Sequence, residues 1–142
     1  MARKLVTKLS NRPCFTLTEK DTLKTASEKL KKFNVGFMPV LNDIDKSVIG
    51  IISERDLARY VCKEDFKNTL LVNQIMTKNI ISCDLNTSVT ELMEIISNYK
   101  IRHVPIIERD KLLGIVSIGD VVNHIIDQYK DENQQLRDFI NQ

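Results

Sequence analysis

Gly50-Ile-Ile-Ser53-Glu-Arg55-Asp56 and Gly114-Ile-Val-Ser117-Ile-Gly119-Asp120 share one pattern, G-h-h-S-x-x-D with h apolar, at an offset of 64. In each, an apolar run ends on a Ser followed three residues later by an Asp. That is the mark of a strand turning into a helix, with Ser as N-cap and Asp where it complements the helix dipole. Either stretch alone reads as a helix cap. Together, at matching positions, they read as an internal repeat.

The correspondence extends outward on both sides. Pro39 falls on Pro105 at an offset of 66, and the same offset carries Phe15 onto Ile81, Leu23 onto Val89, Leu30 onto Ile96 and Val35 onto Ile101. The change from 66 to 64 is absorbed where Asn42–Lys46 stands against Glu108–Asp110, a hairpin tip that tolerates length changes. Each copy predicts β-α-β-β-α. A short strand (Phe15–Leu17; Ile80–Ser82) precedes a helix with an apolar stripe (Leu23, Ala26 and Leu30; Val89, Leu92, Met93 and Ile96). Asp21 or Thr22 caps the first of these helices, and Ser88 with Glu91 offers a capping box to the second. Two strands joined by a polar turn follow, Phe37–Leu41 with Val48–Ile52 and His103–Ile107 with Leu112–Val116. Pro39 and Pro105 lack an amide donor, so their strands should be edges at that point. A second helix starts at Ser53 or Ser117. Val122, Ile126, Tyr129, Asn133, Leu136 and Ile140 prolong the last one as an amphipathic helix. The expected organisation is a first repeat over 5–62, a linker over 63–73, a second repeat over 74–127 and a helical extension over 128–142. One unit of about 60 residues buries little core, so two units should share one.

Composition excludes several classes. A chain of 142 residues with 42% hydrophobic and 28% charged residues suits one globular unit. Its 21 basic and 19 acidic residues leave +2, too balanced and too scattered for a nucleic-acid binder that works by phosphate neutralisation. No apolar run approaches the ~18 residues of a membrane span. The leading MARKLVTKLSNRP is basic without an apolar core, which argues against a secretory signal and leaves room for a short organelle-targeting segment. Cys14, Cys62 and Cys83 are odd in number and show no CxxC or Cys/His spacing, so reduced thiols in a cytoplasmic protein are expected. There is no nucleophile–base pair, no metal cluster and no glycine-rich phosphate loop, so the protein should not be an enzyme.

The repeated motif has chemical capacity as well. Free amides at a helix N-terminus favour phosphate. An ionised Asp in the first turn can accept both hydroxyls of a ribose diol. The strands at Ile51 and Ile115 supply an apolar wall for an adenine. Phe15, Phe37 and Met38 suit either a cleft wall or ordinary core.

SERDLAR in the first copy and IRHVPII with GIVSIGDVV in the second resemble a tandem CBS-domain pair, the Bateman module. The resemblance covers about residues 5–127 and is closest in kind to small stand-alone bacterial CBS-pair proteins and plant organellar relatives. It implies an α/β (α+β) fold in which two pseudo-symmetric β-α-β-β-α repeats form one disc with two clefts. It implies adenosyl ligands: AMP, ADP, ATP, S-adenosylmethionine, or NAD and NADH, with no cofactor required. Carried onto this chain, Asp56 and Asp120 would hold ribose. Ser53, Arg55, Arg102, His103, Ser117 and Gly119 would lie on the ribose-phosphate side. The Asp120 cleft would take walls from Ser10, Phe15, Val35, Phe37 and Ile115. The Asp56 cleft would take them from Ile51, Thr77, Ile81, Ile101 and His103.

The two halves are not equal. Arg102-His103 stands where the first copy has Gly36-Phe37, and Arg55 stands where the second has Gly119. Phosphate-binding charge should therefore be unequally shared. With no other domain in the chain, the module should signal to a regulated partner protein. Apolar helix stripes, Leu57, Tyr60 and Val61 with Val121, Val122 and Ile125, should pair two copies in a homodimer. The alternative is a scaffold that has lost its ligand and only dimerises. Neither nucleic acid nor membrane is expected as a partner.

Overall fold

The computed structural model describes residues 5–10 and 12–141. Of the expected organisation, Asn11 in the first repeat and Gln142 at the end of the extension lie outside them.

The two apolar stripes form helices α2 (Leu23–Phe33) and α4 (Val89–Tyr99), after α1 (Leu5–Leu9), α1 being an element the periodicity did not predict. Thr22 caps α2, its hydroxyl accepting from the Thr25 amide at 3.2 Å. Ser88 caps α4 by accepting from the Glu91 amide at 3.1 Å. The expected capping box at Ser88 is only half made, since Glu91 returns no bond among the described residues. Both helices end on a left-handed residue, Asn34 at φ 53° and Lys100 at φ 54°. These stand 66 apart, so the repeat persists in backbone geometry.

The hairpins form as predicted. Strand β2 (Phe37–Leu41) pairs antiparallel with β3 (Val48–Ser53), and β4 (His103–Glu108) with β5 (Lys111–Ser117). Each hairpin has a register shift at the equivalent place, after Val40 and after Ile106.

The first strand of each repeat is shorter than expected. In the first repeat β1 is only Leu17–Thr18, parallel to Val40 and Leu41, and Phe15 lies outside it. In the second, no strand forms at Ile80–Ser82. One parallel bridge remains, in which Cys83 N–H donates to the Pro105 carbonyl (2.9 Å) and Ile107 N–H to the Cys83 carbonyl (2.8 Å). The cause lies in the prolines. On that side of β4 the next donor back would be residue 105, and proline has none, so the ladder stops.

The second helices are α3 (Glu54–Val61) and α5 (Ile118–Ile140). The latter runs through residues 127 and 128 without a break, carrying the predicted extension as part of one helix.

The core shows how the halves interlock. Leu17, Leu23, Ala26, Leu30, Met38, Val40 and Ile52 pack with Val72 and Ile75, which lead into the second repeat. Leu92, Ile96, Val104, Ile106, Val116 and Val121 pack with Leu5 and Val6 of α1, which lead into the first. Each repeat thus closes its core with the other's lead-in segment. The crossing is tight at the motif glycines. A Cβ on Gly50 would stand 2.7 Å from Met76 Cγ, and one on Gly114 would stand 2.7 Å from the Leu9 carbonyl oxygen. Beside Gly50, Ile51 and Thr77 exchange both backbone hydrogen bonds, at 3.0 and 2.9 Å. These crossings place the end of β3 or β5 beside the opposite lead-in and leave a cleft on each side.

Candidate functional site

Both Ser/Asp pairs form the reciprocal caps that local chemistry demands. Ser53 Oγ accepts from the Asp56 amide (3.2 Å), and Asp56 Oδ2 accepts from the Ser53 amide and hydroxyl (3.0 Å each). Ser117 Oγ accepts from the Asp120 amide (3.1 Å), and Asp120 Oδ2 from the Ser117 amide (2.9 Å). Capping and ligand binding are therefore compatible uses of one carboxylate. The cap holds Oδ2 at the start of the helix, and the remaining acceptor capacity, Oδ1 above all, decides what else the side chain can do.

At Asp56, Oδ1 takes no partner among the described residues. The cleft in front of it measures about 620 Å³. Ile51, Ile81 and Ile101 give it aliphatic wall, Ser53, Asp56 and Thr77 give it polar edge, and Glu54 adds a second acid. Arg55, Arg102 and His103 all face it. The two arginines that the sequence assigns to different repeats converge on this one cleft, so the inequality of charge is larger than the motif comparison implies. The structure adds Arg59, Lys100 and Asn79, which the sequence reading missed. Arg59 was detectable as the residue one helical turn beyond Arg55. Lys100 gave no signal, because only its left-handed cap conformation turns the chain there.

The Asp120 cleft is smaller, about 290 Å³. Phe15, Val35, Phe37, Ile115, Ser117 and Asp120 line it. Two predicted residues do not line either cleft. Ser10 is turned to the end of α1, its hydroxyl donating to the Thr7 carbonyl at 2.7 Å. Gly119 lies exposed in the first turn of α5. Phe15 also stacks on Phe33, with ring centroids 4.0 Å apart.

Arg12, unforeseen in the sequence, fills the mouth of this second cleft. Its Nη1–H donates to Asp120 Oδ1 (2.9 Å), and its Nη2–H donates to Asp120 Oδ2 (2.7 Å) and to the Ile115 carbonyl (2.8 Å). Burial alone would push the Asp120 carboxyl up, but the bonds from Arg12 and Ser117 hold it below the ordinary range. Arg12 in turn is held above its ordinary value by its bond to Asp120.

One wall is common to both clefts. Phe37 and His103 occupy equivalent positions in the two repeats, and their rings stack at 5.2 Å with an interplanar angle of 11°. Burial lowers the His103 pKa. Asp120 opposes that shift and Arg102 adds to it, so the neutral ring is favoured.

A third, apolar groove of about 460 Å³ runs between α4 and α5, with Met93, Ile96, Val121, Val122 and Ile125 among its residues. The expected dimer stripes are narrower than predicted. Leu57 and Tyr60 pack on the first core and Val121 is 3% exposed, whereas Val61, Val122 and Ile125 stay exposed. Among the described residues no group of His, Cys, Asp and Glu could hold a metal ion. No helix there is long and apolar enough to cross a membrane.

Comparison with known proteins agrees with this geometry. The CBS-domain family model matches residues 6–63 and 72–127. The mitochondrial CBS-domain-containing protein CBSX3 of Arabidopsis thaliana is 32% identical over 127 residues, covering 87% of this chain and 62% of its own length. An uncharacterised 17.7 kDa protein of Acidianus ambivalens is 33% identical over 123 residues, covering 86% of this chain and 73% of its own. The crystal structure of a CBS-domain-containing protein from Agrobacterium tumefaciens superposes with a TM-score of 0.75 at 35% identity, covering 84% of this chain and 94% of that one. The CBS-domain pair of protein MJ0100, solved with 5′-methylthioadenosine and S-adenosyl-L-methionine, shares the fold at a TM-score of 0.76 and 24% identity, covering 89% and 99%.

Proposed function

The chain belongs to the CBS-domain family, and on that premise we propose that it is a regulatory module whose clefts bind an adenosyl ligand and signal to a partner protein. The observation that carries this is the Asp56 cleft. There, an acceptor oxygen without a partner among the described residues, aliphatic walls and the cationic side chains of Arg55, Arg59, Lys100 and Arg102 meet in about 620 Å³. The arrangement suits a ribose on Asp56, an adenine between Ile51, Ile81 and Ile101, and phosphates toward the arginines. That MJ0100 was solved with two adenosyl compounds supports the ligand class.

Within that class the cations favour phosphate-bearing members: AMP, ADP, ATP or NAD(H). A micromolar affinity needs about 8 kcal/mol. Burying ~100 Å² of adenine at ~25 cal/mol/Å² supplies about 2.5 kcal/mol. Charge-assisted bonds of roughly 1.5–3 kcal/mol each must therefore contribute. We further read the protein as a homodimer, with Val122 and Ile125 at the contact, in a cytoplasm that keeps its three cysteines free.

Thermal denaturation with AMP, ATP, NADH and S-adenosylmethionine tests the reading, because a ligand of the folded state raises the melting temperature. At least one should raise it. Replacing Asp56 and Asp120 together by Ala should abolish the rise while far-UV circular dichroism is kept. In Asp120→Ala protein, where only the Asp56 cleft is read, Arg55→Ala with Arg102→Ala should remove most of any preference for AMP over adenosine. A full shift in the double Asp variant, or no shift with any of the four ligands, would overturn it.

A further inference from the structure

We propose that Arg12 sets the specificity of the Asp120 cleft: its guanidinium stands in for a ribose diol on the carboxylate and yields only to ligands that bring an anion of their own. This rests on the adenosyl-binding reading above.

Arg12 makes a two-pronged contact with both oxygens of Asp120 and uses a further N–H on the Ile115 carbonyl. Together with the Ser117 amide on Oδ2, this leaves Asp120 committed. The equivalent carboxylate, Asp56, is not treated so. Lys78 stands 66 residues beyond Arg12, at the matching position, and among the described residues it bridges to no acid. The difference is chemical. A planar guanidinium fork matches a carboxylate at two points, whereas an ammonium meets it at one.

Binding at Asp120 then becomes an exchange. A ribose diol that takes the carboxylate must displace the fork. A neutral nucleoside leaves the guanidinium without an anion, beside a backbone carbonyl that has lost its donor. A nucleotide offers the displaced guanidinium its phosphate. Arg12 is the only Lys or Arg lining this cleft among the described residues. The lock and the phosphate partner are thus one side chain. Among the described residues the Asp56 cleft, with Oδ1 unpartnered and cations elsewhere on its wall, has no such coupling.

Calorimetric titration of AMP and adenosine isolates the effect in Asp56→Ala protein, where only the Asp120 cleft remains. AMP should bind at least about tenfold more tightly than adenosine. Adding Arg12→Ala should strengthen adenosine about five- to tenfold, as loss of a part-exposed, two-pronged ion pair allows, and should weaken AMP, so the preference collapses. Arg12→Lys in the same background should keep AMP binding but strengthen adenosine, leaving a reduced AMP preference, because a point charge still pairs with phosphate yet meets the carboxylate at one point only. An AMP-to-adenosine ratio unchanged by Arg12→Ala overturns the proposal. So does the absence of binding by both ligands with and without Arg12. In that case AMP binding to Asp120→Ala protein would leave the Asp56 site and the general reading intact, and no binding by any variant would remove both. A ligand-free check runs alongside. Chemical denaturation of Arg12→Ala, Asp120→Ala and the double variant should show coupling between the two residues, and additive effects would also refute the lock.

Discussion

Gly114→Ala and Gly50→Ala are the same change at equivalent places in the two repeats, and the structure predicts unequal outcomes. Neither glycine has a positive φ, so alanine fits both backbones and restricts the unfolded chain, a gain of about 0.4–1 kcal/mol. The new methyl decides the rest. At Gly114 it would stand 2.7 Å from the Leu9 carbonyl oxygen, 3.3 Å from Ser10 Cα and 3.2 Å from Ile106 Cδ1. Two of these are backbone atoms of the crossing segment, so relief requires that segment to lift from β5. At Gly50 the neighbours are atoms of the Met76 side chain, Sδ closest of all, then Cγ at 2.7 Å and Cβ at 3.2 Å. Methionine is unbranched and can change rotamer at modest cost. Overpacking against a stiff wall costs roughly 1–3 kcal/mol or somewhat more. The two backbone contacts put Gly114→Ala near the top of that range, about 3 kcal/mol, so with the entropy gain subtracted it should lose roughly 2–2.5 kcal/mol, and Gly50→Ala less than about 1 kcal/mol. At roughly 3–4 °C per kcal/mol for a chain of this size, scanning calorimetry should show a drop of about 5–10 °C for the first and within about 3 °C for the second. The lifted segment also carries Arg12, so Gly114→Ala should loosen its hold on Asp120 and strengthen adenosine binding. Equal losses, or the larger loss at Gly50, would refute the interlock as the source of the constraint.

Folded stability should fall with pH below about 6.5, the unperturbed histidine value. Burial depresses the His103 pKa, so the unfolded chain takes up the proton first, and the stabilisation present above that pH is lost as pH drops toward the folded value. Urea midpoints at pH 7.0 and 5.5 should differ in the wild type and differ less in His103→Phe; the same difference in both would assign the effect elsewhere. The Cys83 thiol, raised by burial and by Asp84 to about 12, should resist alkylation at pH 8 while exposed Cys62 reacts. Early labelling of Cys83, read by mass spectrometry, would contradict its burial. Val122→Glu with Ile125→Glu places charge on exposed α5 positions outside both clefts. Sedimentation should show a dimer becoming a monomer with AMP binding retained, and an unchanged mass would move the contact off this face.

The repeat, its caps and its paired strands were legible in the sequence because each rests on local rules. Ser at an N-cap bonds three residues ahead, apolar residues recur every three or four positions in a helix and every second in a strand, and a proline ends a ladder by lacking one hydrogen. Asp56 and Asp120 could be singled out because the same local need to cap a helix occurs twice at equivalent positions. The length of the first strands was not legible in the same way. Apolar character suggested Ile80–Ser82, but pairing depended on a donor that Pro105 withholds. Nor could spacing show that α1 closes the core of the second repeat, or that Arg55 and Arg102 meet in one cleft. Arg12 lies 108 residues from Asp120, and no periodicity relates the two. Their contact exists because the lead-in segment crosses over Gly114, and only the folded chain brings a guanidinium from one repeat to the helix start of the other.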